Sequence, residues 1–258
     1  MNSPLVCVTL RGRTAAEIVS DSSEAKSLGA DLVEVRLDYL WSKKENHAEG
    51  KESDESESKQ ENLEFEDVDI RESLTELIEN IELPIILTCR PIDQGGIFPG
   101  TDESRFDVLR SAIAVKPRWI DLETNIPEDV RDGLVDSLDK ETQVIASVHY
   151  TGDVPNTSQI LQEIEDSKSL GEIVKVCIET KNRNDGFGIF EAAWKMKDSG
   201  IRTSLMGLGP GGDWTRIHAP LLEQALVYTT TEYDPYLAQQ GRINISDLQM
   251  AWSMLEYS

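Results

Sequence analysis

Cysteine is scarce: the three present, Cys7, Cys89 and Cys177, stand far apart in apolar segments. That spacing excludes a CxxC zinc site and a disulfide framework; a reducing, cytoplasmic compartment is the expected setting. Long apolar runs are missing too, since nothing approaches the ~18 consecutive apolar residues of a membrane helix. The opening residues MNSPLV lack the basic-then-apolar order of a secretory signal. Positive charge is in short supply: 25 Lys and Arg face 48 Asp and Glu, a net charge of -23. A surface of that sign repels nucleic-acid phosphates and anionic lipid, so no nucleic acid and no membrane are expected as partners. An acidic excess spread along the whole chain also fits a protein that works in salt, and stability is expected to rise with molar KCl.

What is there is a core and a rhythm. The apolar fraction, 39% of 258 residues, is ample for one large domain. Short β-branched runs at 6–10, 32–38, 84–90, 119–123, 143–150, 173–179, 202–208 and 225–230 read as strands. Helical periods follow each of them: one opened by the Thr14–Glu17 capping box, then 71–81, 104–115, 127–138, 158–170, 189–197, 214–223 and 246–257. Strict alternation predicts a parallel sheet with helical crossovers. Eight repeats predict closure into an α/β (β/α)8 TIM barrel, a single domain over 1–258, with a doubly wound open sheet as the alternative. Residues 43–61 (KKENHAEGKESDESESKQE) break the rhythm, and their composition reads as a solvated, disordered acidic insertion.

Lys175 is the most informative residue. It sits in the run IVKVCI (173–178), and lysine is almost never buried unless it is paired or employed. The preceding strand ends in His149, one of three histidines. A desolvated lysine and a histidine at neighbouring strand ends point to imine chemistry on a carbonyl substrate. In a barrel the site lies at the C-terminal strand ends, where Glu34, Arg36, Asp38, Arg90, Asp121 and Glu123 also fall. Arg216 follows strand seven after a glycine-rich loop (207–212), which lacks the spacing of a nucleotide-binding motif. The bland readings are an ion network among Glu34, Arg36 and Asp38, and a buried salt bridge from Lys175 to Glu34 or Asp121.

These segments carry a resemblance. LVEVRLDYL (32–40), LTCRP…GG (87–96), WIDLE (119–123), VIASVHY (144–150), IVKVC (173–177) and TRI…ISDL (215–248) are similar, in order and spacing, to type I 3-dehydroquinate dehydratase. The resemblance implies a barrel, a homodimer, no metal and no organic cofactor. It implies dehydration of 3-dehydroquinate to 3-dehydroshikimate, the third step of the shikimate pathway, which serves aromatic amino-acid biosynthesis. Carried over, Lys175 matches the Schiff-base lysine, His149 the general acid/base, and Arg216 the arginine that clamps the substrate carboxylate. Glu34, Arg36 and Arg90 match polar groups around the substrate. An ordinary lysine, pKa ~10.4, is neutral in only roughly one molecule in 2,500 at pH 7. Burial beside Arg36 and Arg90 is expected to favour the neutral amine.

The chain departs from the family pattern in three places. Gln94 stands where a glutamate usually meets the histidine, which predicts a lower histidine pKa. Ala238 and Arg242 replace the usual serine or threonine and glutamine of the closing loop; Gln239 and Arg242 are the expected substitutes there. The loop between Met206 and Arg216 is about two residues longer. Gln94 and Ala238 motivate a second reading, an impaired paralogue that binds a shikimate-pathway acid without turnover; a third is another Schiff-base barrel of the class I aldolase kind, against which the Arg216 segment and the WIDLE motif count.

Overall fold

The computed structural model describes residues 3–43, 62–233 and 236–257; the remainder of the predicted insertion, 44–61, lies outside them. Eight strands run parallel: β1 (Leu5–Leu10), β2 (Leu32–Arg36), β3 (Ile85–Thr88), β4 (Trp119–Glu123), β5 (Gln143–Tyr150), β6 (Ile173–Glu179), β7 (Thr203–Leu208) and β8 (Leu226–Thr229). Their order is β7-β6-β5-β4-β3-β2-β1-β8. The β7–β8 seam is closed by Ala225 N–H to Thr203 O (2.9 Å) and Ser204 Oγ to Leu226 O (2.7 Å). A helix follows each strand: α1 (Ala15–Ser27), α2 (Ile70–Asn80), α3 (Asp102–Ala114), α4 (Glu128–Asp136), α5 (Thr157–Ser167), α6 (Arg183–Met196), α7 (Trp214–Ile217) and, after β8, α8 (Ile245–Met254). The expected (β/α)8 architecture is therefore present. Among the described residues no helix is long and apolar enough to cross a membrane.

Both faces of a parallel sheet are buried, which is why its strands read as near-continuous apolar runs. Outward residues such as Val33, Val35, Leu87 and Ile120 pack under the helices. Inward residues alternate with them. Cys7, Leu32, Ile86, Trp119, Ile145, Ile173 and Leu226 fill the barrel interior. Two residues further along six of these strands the inward position turns polar, at Thr9, Glu34, Thr88, Asp121, Ser147 and Lys175, while on β8 it is Tyr228. The period of two thus builds an apolar plug with a charged layer above it.

Several helix and strand bounds differ from the sequence reading, three of them with a local cause that the structure shows. β2 ends at Arg36, and Leu37–Trp41 winds into a 3₁₀ turn. There Asp38 Oδ2 accepts the Ile97 N–H at 3.2 Å. α6 starts at Arg183 because Asn182 caps it through the Asn184 N–H, despite two glycines in its first turns. α7 stops at Ile217: Pro220 biases Ala219 away from helical backbone, and the predicted helix to 223 becomes turns.

Candidate active site

Lys175 lies between Ile173 and Cys177 on the inward face of β6 and is 4% exposed. Its Nζ donates to Glu34 Oε1 at 3.0 Å and Asp121 Oδ2 at 3.1 Å. The Tyr228 ring covers a third side, with its centroid 4.1 Å from Nζ. Burial opposes charge on Lys175, yet Glu34 and Asp121 outweigh it and hold the ammonium above the ordinary lysine value. This corrects the expectation of a depressed lysine. The sequence reading set Arg36 and Arg90 beside the amine, but each is already matched to carboxylates.

Arg36 grips Asp38 through two bonds, Nε to Oδ1 at 2.8 Å and Nη2 to Oδ2 at 2.7 Å. Arg90 is buried between Asp121 (2.8 Å), Glu123 (2.6 Å) and Ser147 (2.9 Å). Arg105 adds a second cation to Glu123 at 2.7 Å. Glu34 also accepts from Thr9 Oγ1 at 2.9 Å and Thr88 Oγ1 at 3.1 Å. Burial alone would raise the carboxyls of Glu34 and Asp121. Lys175 and Arg36 reverse this for Glu34, and Arg90 and Lys175 for Asp121, so both stay ionised below the usual carboxylate values. Of the two bland readings, the buried salt bridge from Lys175 is present, to both Glu34 and Asp121, whereas the Glu34, Arg36 and Asp38 network is split: Arg36 pairs with Asp38, and Glu34 bonds Lys175 instead. Thr9, Thr88, Ser147 and Tyr228 complete the cluster around Lys175. Sequence reasoning missed them, although they share the inward period of Glu34 and Lys175.

His149 lines the same cavity from the end of β5. Its backbone N–H donates to Gln94 Oε1 at 3.2 Å, and Gln94 Nε2 donates to Asn125 Oδ1 at 2.8 Å. Those two bonds fix which way the amide points. The His149 Nδ1, 3.3 Å from the same Oε1, must then carry the proton, leaving the Nε2 lone pair free. Burial first, then the charges of Arg90 and Lys175, push His149 well below the ordinary histidine value; Asp121 opposes them and loses. Gln94 contributes orientation without charge, and the lowering runs in the direction expected from that substitution.

Arg216 is buried at the end of β7's loop. Its Nε donates to Tyr228 O (3.1 Å), and its Nη1 to Gly207 O (2.8 Å) and Gly212 O (2.7 Å). The glycine-rich loop makes this seat: a Cβ on Gly212 would lie 2.4 Å from the Gly207 carbonyl carbon. No carboxylate among the described residues pairs with Arg216, and burial lowers its pKa to about 10. A buried guanidinium facing a cavity with only carbonyl partners keeps its full charge available to an anion.

These groups surround a cavity of about 440 Å³ lined by Glu34, Arg36, Arg90, His149, Lys175 and Arg216, with Arg242 on its rim. Arg242 is bonded to Glu232 (3.1 Å), Gln240 Oε1 (3.2 Å) and Thr230 Oγ1 (3.2 Å). Gln239, an expected contact, is not brought to the cavity. It stands exposed on the 3₁₀ turn Leu237–Gln240, where a step of one residue turns the side chain by roughly 120°, and Gln240 lines the cavity instead. Among the described residues no three His, Cys, Asp or Glu side chains are grouped as a metal-ligand set.

A parallel eight-stranded barrel with lysine, histidine and arginine converging at the C-terminal strand ends defines a barrel-type enzyme class. Residues 6–258 match the family described as type I 3-dehydroquinase, and the chain belongs to that family of hydro-lyases. It is similar to the 3-dehydroquinate dehydratase of Methanothermobacter thermautotrophicus, 26% identical over 87% of this chain and 86% of the relative. It also matches a bifunctional chloroplastic 3-dehydroquinate dehydratase/shikimate dehydrogenase of Arabidopsis thaliana, 25% identical over 96% of this chain and 36% of the plant protein. Among solved structures, the type I enzyme of Clostridium difficile superposes with a TM-score of 0.80 at 20% identity. That match spans 99% of this chain and 93% of the other. At that identity the likeness speaks for the fold.

Proposed function

We propose that this cavity dehydrates 3-dehydroquinate to 3-dehydroshikimate by syn elimination through an imine on Lys175. The observation that carries the reading is Lys175 itself, buried on the cavity floor between two carboxylates, with His149 in the same cavity. The substrate carboxylate is held by Arg216. Lys175 passes a proton to the free Nε2 of His149 and attacks the C3 carbonyl carbon. His149 returns that proton to the oxygen, and loss of water leaves an iminium. Glu34 and Asp121 disfavour the neutral amine, but they stabilise the iminium cation that replaces the ammonium. The attraction lost when the amine is freed is thus regained when the iminium forms.

The iminium draws electrons from the C2–H bond. Nε2 of His149 takes the C2 proton and the enamine forms. Its electrons then expel the C1 hydroxyl, which leaves as water with the proton from His149. Hydrolysis of the product iminium frees Lys175. His149 suits the base role because it is neutral at pH 7, and the acid role because its imidazolium, disfavoured by burial, gives up its proton readily. The test is turnover of 3-dehydroquinate followed by enone absorbance, with Lys175→Ala abolishing it. Undiminished turnover by that variant would overturn the mechanism. Cytoplasmic location and a homodimer belong to the same proposal, and sedimentation equilibrium at one subunit mass would refute the dimer.

A further inference from the structure

We infer that Arg11 is a substrate-recognition residue, an unpaired guanidinium at the cavity mouth that captures the carboxylate of the incoming anion before Arg216 holds it. This deepens the dehydratase reading and rests on it. The chain carries a net charge of -23, so an anionic substrate approaches against a repulsive field. Something at the mouth has to reverse that field locally.

The arginines around the cavity are not equal candidates. Arg36 is neutralised by Asp38, Arg90 by Asp121 and Glu123, and Arg242 by Glu232. Arg216 lies deep, in its seat of carbonyls. Arg11 is exposed, lines the cavity, and makes no hydrogen bond or ion pair among the described residues; its guanidinium carbon lies 5.9 Å from the Tyr39 ring centroid. In a chain with 48 acids against 25 bases, a cation left without a carboxylate partner inside a cavity wall is out of keeping with its surroundings.

Its position follows from β1. Cys7 belongs to the barrel interior and Thr9 bonds Glu34 on the charged layer. Arg11, two residues on, occupies the next inward position above the floor that holds Lys175. Tyr39, Arg242, Arg36 and Glu34 all lie close enough for their charges to act on it, but both arginines are already paired, which leaves Arg11 as the uncommitted cation on this side of the mouth. The ligand class is a small carboxylate, and the expected gain is in capture, because a rim charge acts on association more than on chemistry.

The experiment compares the full chain with Arg11→Gln, Arg11→Lys and a charge-matched control, Lys26→Gln. Lys26 is exposed on α1, where it pairs with Glu82. Steady-state kinetics with 3-dehydroquinate are run from low to 1 M KCl. Arg11→Gln is expected to lower kcat/KM about tenfold at low salt, through KM, with Arg11→Lys recovering part of the loss. The gap should shrink toward 1 M KCl, where screening acts within about 3 Å. A KM and salt dependence equal to those of Lys26→Gln would overturn the inference, as would a loss confined to kcat. If the parent chain itself fails to turn over substrate, the dehydratase reading falls. Calorimetric binding of quinate then tests Arg11 alone: about tenfold weaker binding by Arg11→Gln supports it, and equal affinity overturns it.

Discussion

Gln94→Glu should move the proton affinity of His149 upward and with it the acid limb of the pH–rate profile. The new carboxylate would take the place of Gln94 Oε1, 3.3 Å from Nδ1. At an effective dielectric near 20, a unit charge at that distance attracts imidazolium by about 5 kcal/mol. Two costs reduce this. The carboxylate must be desolvated, and Asn125, which now accepts from Gln94 Nε2 at 2.8 Å, must turn its amide to donate instead. Keeping roughly half leaves about 2–3 kcal/mol, or about two pH units. In the parent, His149 is neutral well below pH 6.5, so activity persists into acid; in the variant it protonates earlier and the acid limb climbs toward neutrality. The assay is kcat/KM against pH, with the His149 ring followed by NMR and assigned by its loss in His149→Ala. A midpoint that stays put, or falls, would refute the placement of Gln94 and the account of why His149 is depressed.

Lys175→Met should destabilise the protein by about 3 kcal/mol near pH 7, since it strands Glu34 and Asp121 in a buried site. That corresponds to about 6–12 °C in Tm. Glu34 and Asp121 have depressed pKa values, so their contribution holds at neutral pH and is lost as acid protonates them. The raised lysine contributes below its unfolded value of ~10.4 and is lost as pH climbs through its folded value. The gap between parent and variant in urea melts should therefore narrow at both extremes, and a gap flat from pH 4 to 11 would contradict the ion network. Tyr228→Leu should cost about tenfold in kcat by removing the ring beneath the Lys175 cation, while Tyr228→Phe retains it. The Tyr228 hydroxyl is buried without a partner among the described residues, so the Phe variant should also be as stable as the parent or about 1 kcal/mol more so. Equal kcat in both variants would remove the cation–π role. Finally, the -23 surface predicts a Tm that rises with KCl; a flat or falling curve would contradict it.

The barrel was legible because parallel strands buried on both faces produce apolar runs, and their order left little choice of topology. The convergence of Glu34, Arg90, His149, Lys175 and Arg216 on one cavity followed from strand ends alone. What escaped was pairing. Periodicity placed Lys175 on the axis and left a salt bridge to Glu34 or Asp121 open, but only the structure shows both carboxylates closing on it at once and Arg90 committed elsewhere, which reverses the expected direction of its pKa. Arg11 and Tyr228 share the inward period of β1 and β8, yet neither stands out without knowing which neighbouring charges are already satisfied. On the closing turn one residue separates Gln239 from Gln240, and 3₁₀ geometry decides which of them faces the cavity.

The most direct test of the account is reduction of the enzyme–substrate mixture with borohydride, followed by intact mass and peptide mapping. The account predicts one substrate-derived adduct per chain on Lys175, formed alongside enone absorbance in the unreduced reaction and absent from Lys175→Ala. Full turnover with no adduct at Lys175, or an adduct on another lysine, would contradict it.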